Sequence, residues 1–236
     1  MNLKRREFIN QVARLIFLSG IPFTKTIADS NEENPITRKI PNGNNSIPVV
    51  GIGTYRTFDK VPNLKNSRVL GELVNTFLTR GGQVVDTSPM YGFSEEMIGA
   101  IKDKLTAKRS LFYATKVWTH GEEQGLTQIS NSFKKMKVDT IDLLQIHNLV
   151  DWKVHSKTLS KLKETGRIKY TGITHYHEGA YKDLEKIMKL KMFDFVQFNF
   201  SLIEPEAEHR LLSIARDTNH AVIINRPFGG GQLFRK

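Results

Sequence analysis

The chain has 236 residues, of which 39% are apolar and 25% charged, so it can bury one sizeable core. It has no cysteine, which excludes disulfides, thiolate zinc sites, iron–sulfur clusters and cysteine nucleophiles. The net charge of +11 favours anionic ligands such as phosphate-bearing cofactors. The basic residues after position 30 are scattered rather than interleaved with aromatics, so no nucleic-acid face is predicted.

Residues 1–28 are predicted to be a twin-arginine signal peptide rather than part of the fold. Arg5 and Arg6 precede an apolar stretch from Val12 to Phe23, and small residues close the segment. The stretch is too short for a stable membrane span. We therefore expect a bacterial periplasmic protein with the twin-arginine export machinery as a partner. The alternative is a basic amphipathic helix that stays attached, in a cytoplasmic protein.

Residues 29–37 are interpreted as a polar linker, and residues 38–236 as one barrel domain that is incomplete at its C-terminus. The domain opens with short extended pieces at 38–41 and 46–48 on either side of an Asn-Gly turn. An Asn-Gly turn between extended pieces is typical of a hairpin. We expect this β-hairpin to cap one end of the body.

The rest of the chain alternates apolar runs with helical patterns, which is typical of βα units around a parallel sheet. Strands are predicted at 49–52, 83–86, 111–115, 141–146, 170–173, 195–198 and 221–224. Helices are predicted at 67–80, 94–105, 127–136, 156–165, 181–190 and 205–218. The pattern predicts an α/β fold of the (β/α)₈ barrel type with about seven strands present. Such a barrel closes with eight strands. Either the chain forms a seven-stranded open sheet or barrel or, as we expect, it lacks its natural C-terminal part with the eighth strand.

Polar residues at the ends of three consecutive strands form a candidate active site. Asp86, Lys116 and His147 close the second, third and fourth strands, and Tyr91 follows in a loop. The carboxyl ends of parallel strands meet at one face, where barrel enzymes place their chemistry. Lys116, held by Asp86, would lower the pKa of the Tyr91 phenol. His147 can donate a hydrogen bond to a carbonyl oxygen, and a nicotinamide cofactor is implied because no side chain delivers hydride.

Four runs of sequence carry a resemblance to a known family. They are Gly51–Tyr55, Asp86–Glu95, Thr115–Trp118 and Gln145–His147. In these runs the chain resembles the aldo-keto reductases, which are (β/α)₈ barrels that reduce carbonyl compounds with NADP(H). The resemblance extends from about Arg38 to Gly231.

The resemblance implies a role for each site residue. Tyr91 would be the general acid of a tetrad completed by Asp86, Lys116 and His147. Tyr55, Trp118 and His147 would line the substrate pocket. The cofactor NADP(H), or else NAD, would be held by Gly53, Thr54, Asp86, Thr174, His175, Gln197, Arg226, Phe228 and Gly229. Two positions depart from the family: His175 replaces an asparagine, and Asn225 replaces the tyrosine that stacks on nicotinamide.

Other interpretations compete with the reductase. Taken singly, each tetrad residue could be structural, as a cap, a loop aromatic, a solvated charge or a buried histidine. The whole chain could be a truncated, catalytically inactive binding module, a barrel isomerase or lyase, or a basic nucleic-acid-associated protein. A metal at His175 and His177 is not predicted, because no carboxylate or cysteine partner has suitable spacing. We expect a monomer that acts on a small carbonyl substrate.

Overall fold

The computed structural model describes residues 35–235. A hairpin of β1 (Thr37–Lys39) and β2 (Ser46–Pro48) comes first and is antiparallel. Seven further strands follow: β3 (Ile52–Gly53), β4 (Val84–Asp86), β5 (Phe112–Val117), β6 (Ile141–His147), β7 (Ile168–Thr174), β8 (Phe195–Asn199) and β9 (Ala221–Asn225). The helices between them are α1 (Leu64–Thr79), α2 (Ser94–Lys102), α3 (Glu122–Met136), α4 (Trp152–Glu164), α5 (Tyr181–Met188) and α6 (Glu206–Asp217). Short 3₁₀ turns lie at Glu178–Ala180 and Gly229–Phe234.

The seven strands β3 to β9 form one parallel sheet in chain order. The sheet is strongly curled. The rings of Phe112 on β5 and Phe195 on β8 have centroids 6.3 Å apart, although a flat sheet would separate these strands by roughly 14 Å. The helices pack on the outside, so the architecture is part of a (β/α)₈ barrel. The predicted fold class is confirmed, and so are six of the seven predicted strands, while the first, predicted at 49–52, is found at Ile52–Gly53.

Three of the six helices begin earlier than their apolar periodicity predicted, while α2 and α5 begin at the predicted residues and α6 begins one residue later. The side chain of Asn63 accepts a hydrogen bond from Asn66 N at 2.9 Å, and this cap lets α1 start at Leu64 rather than 67. α3 and α4 start at 122 and 152 rather than 127 and 156. The first turn of α3 is polar, with two glutamates favoured by the helix dipole, so apolar spacing did not reveal it. Within residues 35–235, no helix has the length and apolarity to cross a membrane.

Side chains that point into the barrel form two layers. Near the amino ends of the strands the layer is apolar, and its buried members are Ile40, Val84, Phe112, Ala114, Leu143, Tyr170 and Phe195. Ile40 follows β1, so the hairpin plugs this end of the barrel, as predicted. Gly43, at the hairpin turn, lies so close that a Cβ there would sit 2.5 Å from Tyr170 Oη. Near the carboxyl ends the inward residues are polar.

We expect Ile40→Ala to lower the free energy of unfolding by about 2–5 kcal/mol, because it leaves a cavity in a layer where Ile40 is 1% exposed. Ile36→Ala is the matched control, since Ile36 is 64% exposed and its truncation should change stability by at most about 0.5 kcal/mol. Urea unfolding of the three proteins measures both effects. Equal stabilities for the two variants would show that the hairpin does not plug the barrel.

Candidate active site

A pocket of about 540 Å³ opens at the carboxyl ends of the strands. Its lining comes from the ends of β3, β4, β6, β7 and β9 and from the loops that follow strands. The lining residues are Gly53, Thr54, Tyr55, Asp86, Met90, Tyr91, Trp118, His147, Asn148, Thr174, Tyr176, Asn225 and Arg226. The strand topology therefore brings three of the four predicted tetrad residues to one cavity, with the fourth, Lys116, directly beside Asp86.

Lys116 and Asp86 form a buried ion pair on neighbouring strands. Lys116 Nζ lies 2.9 and 2.8 Å from the two carboxylate oxygens of Asp86 and donates to Thr87 O at 2.7 Å. The side chains of Lys116 and Asp86 are 1% and 14% exposed. A buried ammonium is tolerated only when it is paired and hydrogen-bonded, and both conditions are met here. The pair places a fixed positive charge directly beneath the pocket.

Tyr91 stands above this charge on the loop between β4 and α2. Lys116 Nζ lies 5.2 Å from the centroid of the Tyr91 ring. The loop is held locally, since Tyr91 N donates to Ser88 O at 3.0 Å and Ser94 N donates to Tyr91 O at 3.1 Å. Phe93 N also donates to Asp59 Oδ1 at 3.0 Å, which ties the loop to the segment after β3.

The pKa of Tyr91 is raised, and this corrects the direction expected from the sequence. Burial of the phenol is the largest cause and raises the pKa, while the Lys116 charge acts in the opposite direction and is outweighed. The negative charge of Asp86 adds to the increase. Tyr91 therefore remains protonated at neutral pH and has a proton to give.

His147 closes β6 and faces the same pocket. Its Nδ1 lies 3.1 Å from Ser88 Oγ, and its ring meets the Tyr91 ring edge-on with centroids 5.9 Å apart. Burial, helped by the positive charge of Lys116, lowers the pKa of His147 to about 3. The imidazole is therefore neutral at physiological pH and can act as a hydrogen-bond donor rather than as a cation.

A chain of side-chain amides runs from Asp86 across the barrel interior. Gln145 Nε2 donates to Asp86 Oδ1 at 3.3 Å and to Gln197 Oε1 at 2.9 Å. Gln197 Nε2 then donates to Asn225 Oδ1 at 2.8 Å. Gly172 leaves the room for this chain, because a Cβ there would lie 3.0 Å from Gln145 Cγ. A carboxylate only accepts, so Asp86 fixes the orientation of each amide in turn.

The rim of the pocket combines aromatic rings with arginines. Arg56 stacks over Tyr55 and Arg226 over Tyr176, with guanidinium-to-centroid distances of 5.1 and 5.4 Å. Tyr176 is 47% exposed, so much of this platform faces solvent. Neither arginine forms an ion pair within residues 35–235. The rim therefore offers two uncompensated positive charges, which suits an anionic ligand.

Four residues that the resemblance placed at the cofactor do not border the pocket. Gln197 is buried below it in the amide chain, and His175 stacks on Tyr176 with ring centroids 5.5 Å apart. Phe228 packs on Phe234, and Gly229 begins the 3₁₀ turn that ends there. Their roles in cofactor binding stay predictions.

The sequence interpretation assigned no role to other residues of the site, Ser88, Met90, Gln145, Asn148 and Tyr176, and it named Asn225 only as a departure from the family. Two of them carried a usable pattern. Gln145 precedes His147 by two positions on one strand, and period-two alternation places both on the inner face. Ser88 stands in the same run as Asp86 and Tyr91. The others lie in loops or depend on which strands meet across the barrel.

The family model for the aldo/keto reductases matches residues 49–236. The chain belongs to the aldo/keto reductase family. Among curated relatives, the aldo-keto reductase YhdN of Bacillus subtilis is 23% identical over 190 residues, covering 74% of this chain and 56% of that protein. The aldo-keto reductase yakc [NADP(+)] of Schizosaccharomyces pombe is 25% identical over 217 residues, covering 84% and 62%. The glyoxal reductase of Bacillus subtilis is 28% identical over 176 residues, covering 72% and 60%.

This chain thus spans between 56% and 62% of the length of these three relatives. Solved structures agree on the fold. A thermostable aldo-keto reductase in complex with the inhibitor epalrestat superposes with a TM-score of 0.70 at 21% identity, covering 83% of this chain and 74% of that one. An aldo-keto reductase of Bombyx mori in complex with NADP gives 0.67 at 20% identity, covering 83% and 67%. The eighth strand, and the domain boundaries at 28 and 37, stay predictions.

We expect the ring protons of His147 to show no titration between pH 8 and pH 5, because its pKa is lowered to about 3. The unfolded chain, with an imidazole pKa of about 6.5, takes up this proton first as the pH falls. The contribution of His147 to stability is therefore full above about pH 6.5 and declines towards pH 3. NMR titration of the assigned imidazole measures this, and a midpoint near 6.5 would contradict the buried, neutral ring.

Proposed function

We propose that this protein reduces an aldehyde or ketone to the alcohol, with NADP(H) as the source of hydride. One observation carries the proposal: a protonated phenol and a neutral imidazole share a pocket directly above a buried Lys116–Asp86 pair. Membership of the aldo/keto reductase family supports it. The relatives named for NADP, from Schizosaccharomyces pombe and Bombyx mori, support the choice of cofactor.

The residues at the pocket suit a nicotinamide cofactor. The hydroxyl of Thr54, which borders the pocket, is buried without a partner among the described residues, so it is available to a ligand. Arg226 supplies an unpaired guanidinium for a phosphate group. Gly53 and Thr174 border the same cavity. We propose these residues as the cofactor-contacting part of the site, and the bound cofactor would supply hydride to the carbonyl carbon.

Side chains of this protein supply the proton for the carbonyl oxygen and hold the carbonyl in position. Tyr91 gives the proton of its hydroxyl to the carbonyl oxygen as negative charge develops there. Lys116, held by Asp86, then stabilises the phenolate that remains, because its charge lies 5.2 Å from the ring centre. His147 donates a hydrogen bond to the same oxygen and fixes its position. Tyr55 and Trp118 form apolar walls against which the substrate packs.

Substitution of Tyr91 by Phe removes the proton donor and keeps the ring. We expect the turnover rate for carbonyl reduction to fall by about 100- to 10,000-fold, while quenching of protein fluorescence by NADPH is unchanged. Steady-state kinetics and fluorescence titration measure the two quantities. Tyr113→Phe, on β5 and outside the pocket, is the matched control and should keep its activity.

Two results would count against the proposal in different ways. A Tyr91→Phe enzyme that reduces carbonyls at the normal rate would remove Tyr91 as the acid and would favour isomerase or lyase chemistry at the same residues. A wild-type chain that binds no NADPH even at millimolar concentration would favour a non-catalytic binding module.

We also propose export by the twin-arginine route to the periplasm. The segment that supports it, residues 1–28, lies outside the described residues, so the proposal rests on Arg5 and Arg6 and the apolar stretch after them. Conversion of both arginines to lysine should retain the protein in the cytoplasm, as measured by cell fractionation and immunoblotting. Arg14→Lys is the control, and wild-type protein confined to the cytoplasm would contradict export.

A further inference from the structure

We infer that the Ser88 hydroxyl holds His147 in a single tautomer, with the ring proton on Nε2, and that Ser88 is therefore a positioning residue for carbonyl reduction. The inference rests on the proposed function, in which His147 donates a hydrogen bond to the substrate. Ser88 lies two residues beyond the end of β4, and His147 ends β6. Ser88 is fully buried, and its Oγ lies 3.1 Å from His147 Nδ1.

The direction of this hydrogen bond follows from the other contacts of the serine. Met90 N donates to Ser88 Oγ at 3.4 Å, so one acceptor position of the oxygen is taken. Within residues 35–235, His147 Nδ1 is the one acceptor that the Ser88 hydroxyl reaches. If Nδ1 carried the ring proton, the hydroxyl hydrogen would be buried without a partner, which is unfavourable. Ser88 therefore donates, and Nδ1 accepts.

A neutral imidazole has one N–H, so an accepting Nδ1 places the proton on Nε2. The ring is neutral because it is buried and because the Lys116 ammonium repels a second positive charge. His175, another imidazole, also acts against protonation of His147. The surroundings thus keep one proton on the ring, and Ser88 determines which nitrogen carries it.

The choice of nitrogen decides what the pocket presents to a carbonyl. Nδ1 is turned towards Ser88, so Nε2 is the nitrogen left for the pocket that His147 borders. With the proton on Nε2, a carbonyl oxygen meets a hydrogen-bond donor. In the other tautomer it would meet a lone pair, which repels the developing negative charge and gives no orientation.

The tautomer can be read directly by NMR on the full-length wild-type protein. Long-range ¹H–¹⁵N correlation of the assigned His147 ring distinguishes a protonated nitrogen from an accepting one. We expect Nε2 to be the protonated nitrogen and Nδ1 the acceptor at neutral pH. A protonated Nδ1 would overturn the inference whatever the activity. A protonated Nε2 in a protein that reduces no carbonyl would leave the inference standing and overturn the proposed function instead.

Variants test whether Ser88 is what holds His147 in one tautomer. In Ser88→Ala the two ¹⁵N shifts should move towards each other as both tautomers become populated, and the turnover rate should fall by about tenfold with NADPH binding unchanged. Ser88→Cys, a similar volume with a weak donor, should recover part of both losses. Ser67→Ala, a buried serine on α1, is the control for loss of a hydroxyl. Unchanged His147 shifts in Ser88→Ala would overturn the role of Ser88.

Discussion

A lysine ammonium buried inside the barrel is the constraint on which the site depends. Lys116 is almost completely removed from water, and the carboxylate of Asp86 and the carbonyl of Thr87 replace its hydration. Because the charge is costly to bury, Asp86 must stay ionised and in place. A fixed carboxylate then orients Gln145, and a fixed ammonium lies beneath Tyr91 and disfavours a charged His147.

The fold could be predicted where burial left a simple pattern. Strands β5 to β8 are buried on both faces, so they read as apolar runs, and their order in the sheet follows the order of the chain. The starts of α1, α3 and α4 could not be predicted in the same way. A cap such as Asn63 and polar first turns such as that of α3 stabilise helix without an apolar stripe.

Some residues of the candidate site could likewise be predicted from the sequence, and others could not. Asp86 and His147 end their strands and Lys116 lies one residue before the end of β5. These three residues could be predicted because the strand ends of a parallel barrel converge. Ser88 and Tyr176 act through contacts with residues far away in sequence, which spacing does not encode. The direction of the pKa shift of Tyr91 could not be predicted from the sequence either. The presence of a nearby lysine was predictable, but how far the phenol is buried decides the direction, and burial is a property of the folded loop.

The amide chain from Gln145 to Asn225 can transmit the orientation of hydrogen bonds but cannot transmit protons. Amides fix the direction of hydrogen bonds over several ångströms, but they do not ionise at neutral pH, so the chain passes orientation and no proton. The apolar layer around Ile40 closes the opposite end of the barrel. A proton lost from Tyr91 in each catalytic cycle would therefore not be replaced through the amide chain or through the apolar layer. The orientation that Asp86 imposes therefore reaches Asn225 without any proton moving along the amide chain.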